Sequence, residues 1–484
     1  MITVKNLTFS YPSSSPVFEG LNFELNLGEI VLITGPTGSG KSTLAKCLAG
    51  FIPHHIKGDF SGSITIDCHD TKNMSLVDVS QKVGIVQQDT ESQICTLNVL
   101  DEVAFGPENF LVSIEEIKDR IYESLKSVKS LHLRNRRTLA LSGGEKQRIV
   151  IASILSAKPR YILLDEPTSN LDPLGIKQLL SLLVELKEKR YGILCIAHNI
   201  DAILPVADRA LLLKQGILSP YDSVNESKLA PIQKSKLDYS LPPLLSTKGL
   251  CFSYELGKVI RNVSLSVYPG EIIGLMGDNG SGKTTLLRLL CGLLVGNSGQ
   301  VQISGKSLQN LGIKEIAKHI AIVFQNPVHQ IFESSVWKES TLSINALSLQ
   351  EISWYEQAEL ALREFGLFEK KESNPFSLSH GQKRRLTVLS SLIHSPEILL
   401  FDEPFIGQDL IGRELITKSL SNHSISGGAC IIVTHNAEFC ERVCTRLLFL
   451  DSGQIVLDGS PTSVFKRLRT LGKDEYCKSG GTHI

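Results

Sequence analysis

Apolar residues along the chain fall into two alternating patterns. Short β-branched runs, such as GEIVLITG at 28–35, YILLDEP at 161–167 and YGILCIAH at 191–198, have the length of buried strands. Between them lie stretches with apolar positions three and four apart, as in LGIKQLLSLLVELKEKR at 174–190, which predict helices with one apolar face. GEIIGLMG at 270–277, EILLFDEP at 397–404 and ACIIVTH at 429–435 repeat the strand pattern. This alternation predicts an α/β fold with a mostly parallel core sheet in each half. The opening ITVKNLTFSY, with GSITID in one half and GQVQIS in the other, predicts a small antiparallel sheet as well.

The halves are copies of one unit. Tyr11 pairs with Tyr254 and Lys41 with Lys283, offsets of 243 and 242; from Gln88 with Gln325 onward, through Ser142 with Ser379 and Asp165 with Asp402, the offset is 237. The slip of five matches the longer FIPHHIKGDFSG after Gly50 against LLVGNSG after Gly292. Residues 1–218 therefore read as a first domain and 247–465 as a second. The Pro- and Ser-containing stretch 219–246 reads as a linker and 466–484 as a solvated tail.

Composition narrows the partners. In 484 residues, 50 Lys and Arg balance 50 Asp and Glu, so no basic field draws the chain to nucleic acid. The ten cysteines form no CxxC pair and follow no apolar leader, which fits reduced thiols in the cytosol. Cys440 and Cys444, near His435, read as core thiols rather than metal ligands. No apolar run reaches the ~18 residues of a membrane-spanning helix. A membrane partner would have to be met from the side.

Two loops carry the chemistry. Gly35, Pro36, Thr37, Gly38, Ser39, Gly40, Lys41, Ser42 and Thr43 write GxxxxGK[ST] between a strand and a helix, and so do Gly277, Asp278, Asn279, Gly280, Ser281, Gly282, Lys283, Thr284 and Thr285. Glycines let the backbone curl its N–H groups toward phosphate oxygens, and the helix adds its positive N-terminal end. Lys41 and Lys283 are placed to reach the β- and γ-phosphates, while Ser42 and Thr284 offer hydroxyls to Mg²⁺. At the ends of two apolar strands, Asp165 and Asp402 suit Mg²⁺, and Glu166 and Glu403 suit the orientation or deprotonation of an attacking water.

LSGGEKQR at 141–148 and LSHGQKRR at 378–385 resemble the signature of ABC ATPases, and the resemblance covers nearly the whole chain. It implies two tandem P-loop NTPase domains, each with a core sheet, an antiparallel β subdomain and a helical signature subdomain, using ATP and Mg²⁺. It further implies that Tyr11 and Tyr254 stack on adenine, that Gln88 and Gln325 are Mg²⁺ and partner-sensing ligands, and that His198 and His435 contact the γ-phosphate. Asp172 and Asp409 match the D-loop aspartate. Ser142, Gly143 and Gly144, and in the second half Ser379 and Gly381, cap nucleotide held by the opposite domain in this family. The chain is thus expected to act as its own head-to-tail dimer, with Lys41 facing Ser379 and Lys283 facing Ser142.

QxxxxQI at 88–94 followed by VAFGPEN at 103–109, with QNPVHQI at 325–331, resembles the ATPases of energy-coupling factor (ECF) importers of vitamins and metal ions. That resemblance implies an integral membrane coupling subunit, a small substrate-binding membrane subunit and a peripheral place on the cytoplasmic face of the membrane. In the second half, VWKESTLS at 336–343 replaces the GPEN stretch. Two other readings stay open: a fused sugar-type importer ATPase, and a soluble twin-ATPase acting on ribosomes or DNA. Pro220, Pro231, Pro242 and Pro243 break the linker, against the long charged helix such soluble factors typically carry.

Overall fold

A computed structural model describes residues 1–484 except 13, 170, 198–199, 223–234, 236, 255–256, 350–351 and 478–484. The chain divides into two compact units, Met1–Glu226 and Ser227–Ile484. In the first, the central sheet runs in the order Ile217–Pro220, Arg209–Lys214, Ile30–Thr34, Gly192–Ile196, Tyr161–Asp165, Val83–Val86. Every pairing is parallel except the outermost, between Ile217–Pro220 and Arg209–Lys214. In the second unit the same order recurs from Gln454–Gly459 through Arg446–Asp451, Ile272–Met276, Ala429–Val433 and Ile398–Asp402 to Ile320–Val323. Each unit adds a four-stranded antiparallel sheet, led by Ile2–Ser10 and by Leu245–Tyr254. The α/β architecture predicted from the patterning is the one observed.

The central strands are apolar throughout because both of their faces are covered. Period-two alternation sends Ile30 and Leu32 to the layer that packs the long helices, and Val31 and Ile33 to the layer shared with the antiparallel sheet. Ile272 and Met276 against Ile273 and Leu275 repeat the division in the second unit.

Of the segment expected to be a solvated tail from 466 onward, the described residues 466–477 are packed on the core. Helix Pro461–Thr470 is capped by Ser460, whose side chain accepts from the Ser463 amide. It buries Val464, Phe465 and Leu468 while Lys466, Arg467 and Arg469 face solvent. Beyond it Tyr476 and Cys477 are buried in the same core. The basic residues concealed an amphipathic stripe. Within the expected linker, strand Ile217–Pro220 extends two residues past 218 and strand Leu245–Tyr254 starts two before 247, while Ser235 Oγ donates to the Gly270 carbonyl at 2.7 Å.

Candidate functional site

In each unit the glycine loop joins a buried strand to an eight-residue helix, Ile30–Thr34 to Lys41–Leu48 and Ile272–Met276 to Lys283–Leu290. A Cβ on Gly35 would lie 2.1 Å from the Leu213 carbonyl oxygen, and one on Gly277 would lie 2.1 Å from that of Leu450. Gly40 and Gly282 sit at φ 102° and 105°, a backbone region that side chains disfavour. Lys41 Nζ turns back to donate to the carbonyls of Gly35 (2.7 Å) and Pro36 (2.9 Å). Lys283 Nζ does the same to Gly277 (2.8 Å) and Asp278 (2.9 Å). Both ammonium groups are thus held over their loops, and the hydroxyls of Ser39 and Ser281 are buried there without a hydrogen-bond partner.

The acidic strand ends meet these loops. Thr284 Oγ1 donates to Asp402 Oδ2 at 2.7 Å, and the Ser42 hydroxyl is hydrogen-bonded to Asp165. Burial pushes both aspartates above the usual carboxylate range, opposed by these hydroxyls and by Lys41 and Lys283. A hydroxyl beside a carboxylate is a hard oxygen donor set, so these residues fit Mg²⁺.

Glu166 and Glu403 follow directly, at φ 55° and 49°. Non-glycine residues rarely adopt this left-handed region, and backbone strain of this kind collects at functional positions. Here it is held by backbone bonds from the glutamate amides to the Ile196 (2.8 Å) and Val433 (3.0 Å) carbonyls at the ends of the neighbouring strands. Glu403 Oε1 is buried with no hydrogen-bond partner, 3.5 Å from His435 Nε2. Burial and the neighbouring Asp402 raise the Glu403 carboxyl well above its ordinary value, and burial with the charge of Lys283 lowers His435 to about 3. Both shifts disfavour the charged forms, so the contact is not a strong ion pair. His198 lies outside the described residues.

The remaining candidates take distinct positions. Ser142 and Ser379 are N-caps of helices Gly143–Ser156 and His380–Leu392, each in a reciprocal capping box with Glu145 or Gln382. Gly144 and Gly381 are buried behind them, while Gly143 is exposed. Asp172 and Asp409 cap the next long helices by accepting from Gly175 (2.7 Å) and Gly412 (2.9 Å). Tyr11 is tied to the loop helix through Thr43 Oγ1 at 3.1 Å, whereas Tyr254 is 45% exposed and packs edge-on to Phe252. Gln88 is half-buried and Gln325 exposed, each just past its strand. Cys440 and Cys444 are fully buried beneath Gly274.

Three kinds of residue were given no role of their own by the sequence reading. Gln93 closes the first glutamine loop, accepting from the Gln87 amide (3.0 Å) and donating to the Ile85 carbonyl (2.8 Å); Gln330 does the same with Phe324 and Ile322. Buried Glu102 accepts from the amides of Cys95 and Thr96, and Glu339 from those of Phe332 and Glu333. The shared offset of 237 was the available signal, since VLDE and VWKE align only at Val and Glu. Finally, wholly buried Arg384 reaches from the second signature helix to the carbonyls of Phe324 and Gln325; Gln147 stands in its place in the first unit and bonds the Pro167 carbonyl instead.

The profile of the ABC transporter family matches residues 18–169 and 260–406. The chain belongs to the ABC transporter family. Its ABC ATPase relatives include a Bacillus subtilis (strain 168) protein provisionally named HMP/thiamine import ATP-binding protein YkoD, 33% identical over 96% of this chain and 93% of its own. A Saccharolobus solfataricus protein provisionally named ABC transporter ATP-binding protein SSO1893 is 34% identical over 96% and 95%. Among solved structures, archaeal ABCE1 bound with Pelota to the ribosome shares the tandem ABC fold, with a TM-score of 0.70, 20% identity and coverage of 96% of this chain and 81% of that one.

Proposed function

We propose that this ABC ATPase powers an ECF-type importer of a vitamin or metal ion, sitting on the cytoplasmic face of a membrane against an integral coupling subunit and a small substrate-binding subunit. The observation that carries this reading is the surface beside the glutamine loops. Leu97, Leu100, Phe105 and Leu111 stand exposed on and around helix Val99–Asn109, and Val328 and Phe332 are exposed in the second unit. Exposed apolar side chains in and after a partner-sensing loop suit the docking of an apolar helix from a membrane protein. The full-length likeness to a protein named for import supports the same reading. Among the described residues no helix is long and apolar enough to cross a membrane, so translocation would belong to the partner.

In this reading two ATP molecules lie between the domains arranged head to tail, each held by one glycine loop and capped by the other domain's signature. Lys41 and Lys283 leave their loop carbonyls to meet the β- and γ-phosphates. Bound Mg²⁺, held by Ser42, Asp165 and Gln88 or by Thr284, Asp402 and Gln325, would supply positive charge to the phosphates. Glu166 or Glu403 takes a proton from water as its oxygen bonds to the γ-phosphorus and the bond to the bridging oxygen breaks, releasing ADP and phosphate. His198 and His435 hold the γ-phosphate through a ring N–H.

Isolation of the tagged chain from detergent-solubilised membranes tests this. A polytopic partner should copurify, together with a small membrane subunit. Cofractionation with ribosomes in an ATP-dependent manner, without any polytopic partner, would establish the soluble twin-ATPase reading instead, to which the ABCE1 likeness contributes only the fold.

A further inference from the structure

The two glycine loops differ at their second position, Pro36 against Asp278, and the difference places a carboxylate at the rim of a site meant for phosphates. Like charges there oppose nucleotide binding. The structure shows what meets that carboxylate. The Tyr476 hydroxyl donates to Asp278 Oδ1, and Lys473 Nζ lies 3.3 Å from Asp278 Oδ2 and 3.2 Å from Asp451 Oδ2. Lys473 is itself seated 4.7 Å over the Phe449 ring, and Tyr476 packs edge-on to the same ring at 5.1 Å and 87°. On its other side Tyr476 reaches His435, ring centroids 6.4 Å apart. One short segment, residues 473–477, therefore lies against both the second loop and His435. Through the Asp278 carbonyl, that loop also holds Lys283.

We propose that residues 473–477 are a positioning element of the second nucleotide site, in which Lys473 neutralises and Tyr476 holds Asp278 so that the loop can accept a triphosphate. The inference rests on reading this loop as a nucleotide site. The first site has no such need, because Pro36 carries no charge.

The test uses the full chain with Lys41→Ala, so that binding of a fluorescent ATP analogue with Mg²⁺ reports the second loop. Lys473→Ala should weaken that binding about fivefold, the upper range for a partly exposed ion pair, and Tyr476→Phe by a smaller factor. Lys473→Arg should retain parental affinity. Adding Asp278→Asn to Lys473→Ala should recover most of the loss, which a merely structural role for the lysine would not allow. In a Lys283→Ala chain, Lys473→Ala should leave the first loop's affinity at its parental value. Equal weakening at both loops, no weakening at the second, or failure of Asp278→Asn to recover affinity would each overturn the proposal. A Lys41→Ala chain that binds no analogue, while the Lys283→Ala chain does, would overturn the reading of the second loop and the proposal with it.

Discussion

At the scale of single residues the two units carry the same strained glutamates but differ around them. His380 occupies the first turn of its helix without a positive φ, and it adds a ring where the first unit has Gly143. Thr434 stands before His435, its hydroxyl accepting from the Asn436 amide, where Ala197 precedes His198. We expect Glu166→Gln and Glu403→Gln to lower the ATPase rate, measured with the proposed membrane partner, by factors that differ at least about twofold, roughly 0.4 kcal/mol of barrier. His380→Gly should narrow the gap. Steady-state rates of the two single variants at saturating ATP check this, and equal losses would remove the argument for unequal sites.

At the scale of elements, side-chain acceptors close the glutamine loops. Glu102 Oε2 takes both amides and the Thr96 hydroxyl, each near 2.9–3.0 Å, at the start of a helix whose other face is partly exposed. Losing a hydrogen bond of this kind costs about 0.5–1.5 kcal/mol. Glu102→Ala should lower the urea midpoint of the protein accordingly and loosen the loop that bears Gln88, visible as faster amide exchange at Cys95 and Thr96. Unchanged exchange at those two amides would count against this role.

At the scale of the whole molecule, the proposed head-to-tail reading predicts two nucleotides per polypeptide without a second copy. The double variant Glu166→Gln, Glu403→Gln should bind two Mg-ATP per chain and remain monomeric by light scattering. A stoichiometry of one, or ATP-dependent dimerisation of the chain, would contradict the intramolecular arrangement.

Much of this was written in the sequence, because the loops, strand-end acids and signatures are local chemistry. A glycine loop that must clear a carbonyl by a hydrogen's width, or an acid that must follow a buried strand, leaves a short readable spacing. The alternation of apolar runs likewise specified the layered α/β fold, since strands covered on both faces need apolar residues throughout. What only the tertiary structure decided were contacts between residues far apart in the chain. Nothing local to Asp278 announces Lys473 and Tyr476, which lie 195 and 198 positions away. Arg384 likewise reads as one more basic residue of a helix until the fold buries it against the carbonyls of Phe324 and Gln325. Even the basic end of the chain looked solvated, because apolar positions at 464, 465 and 468 acquire meaning only when a core is present to cover them.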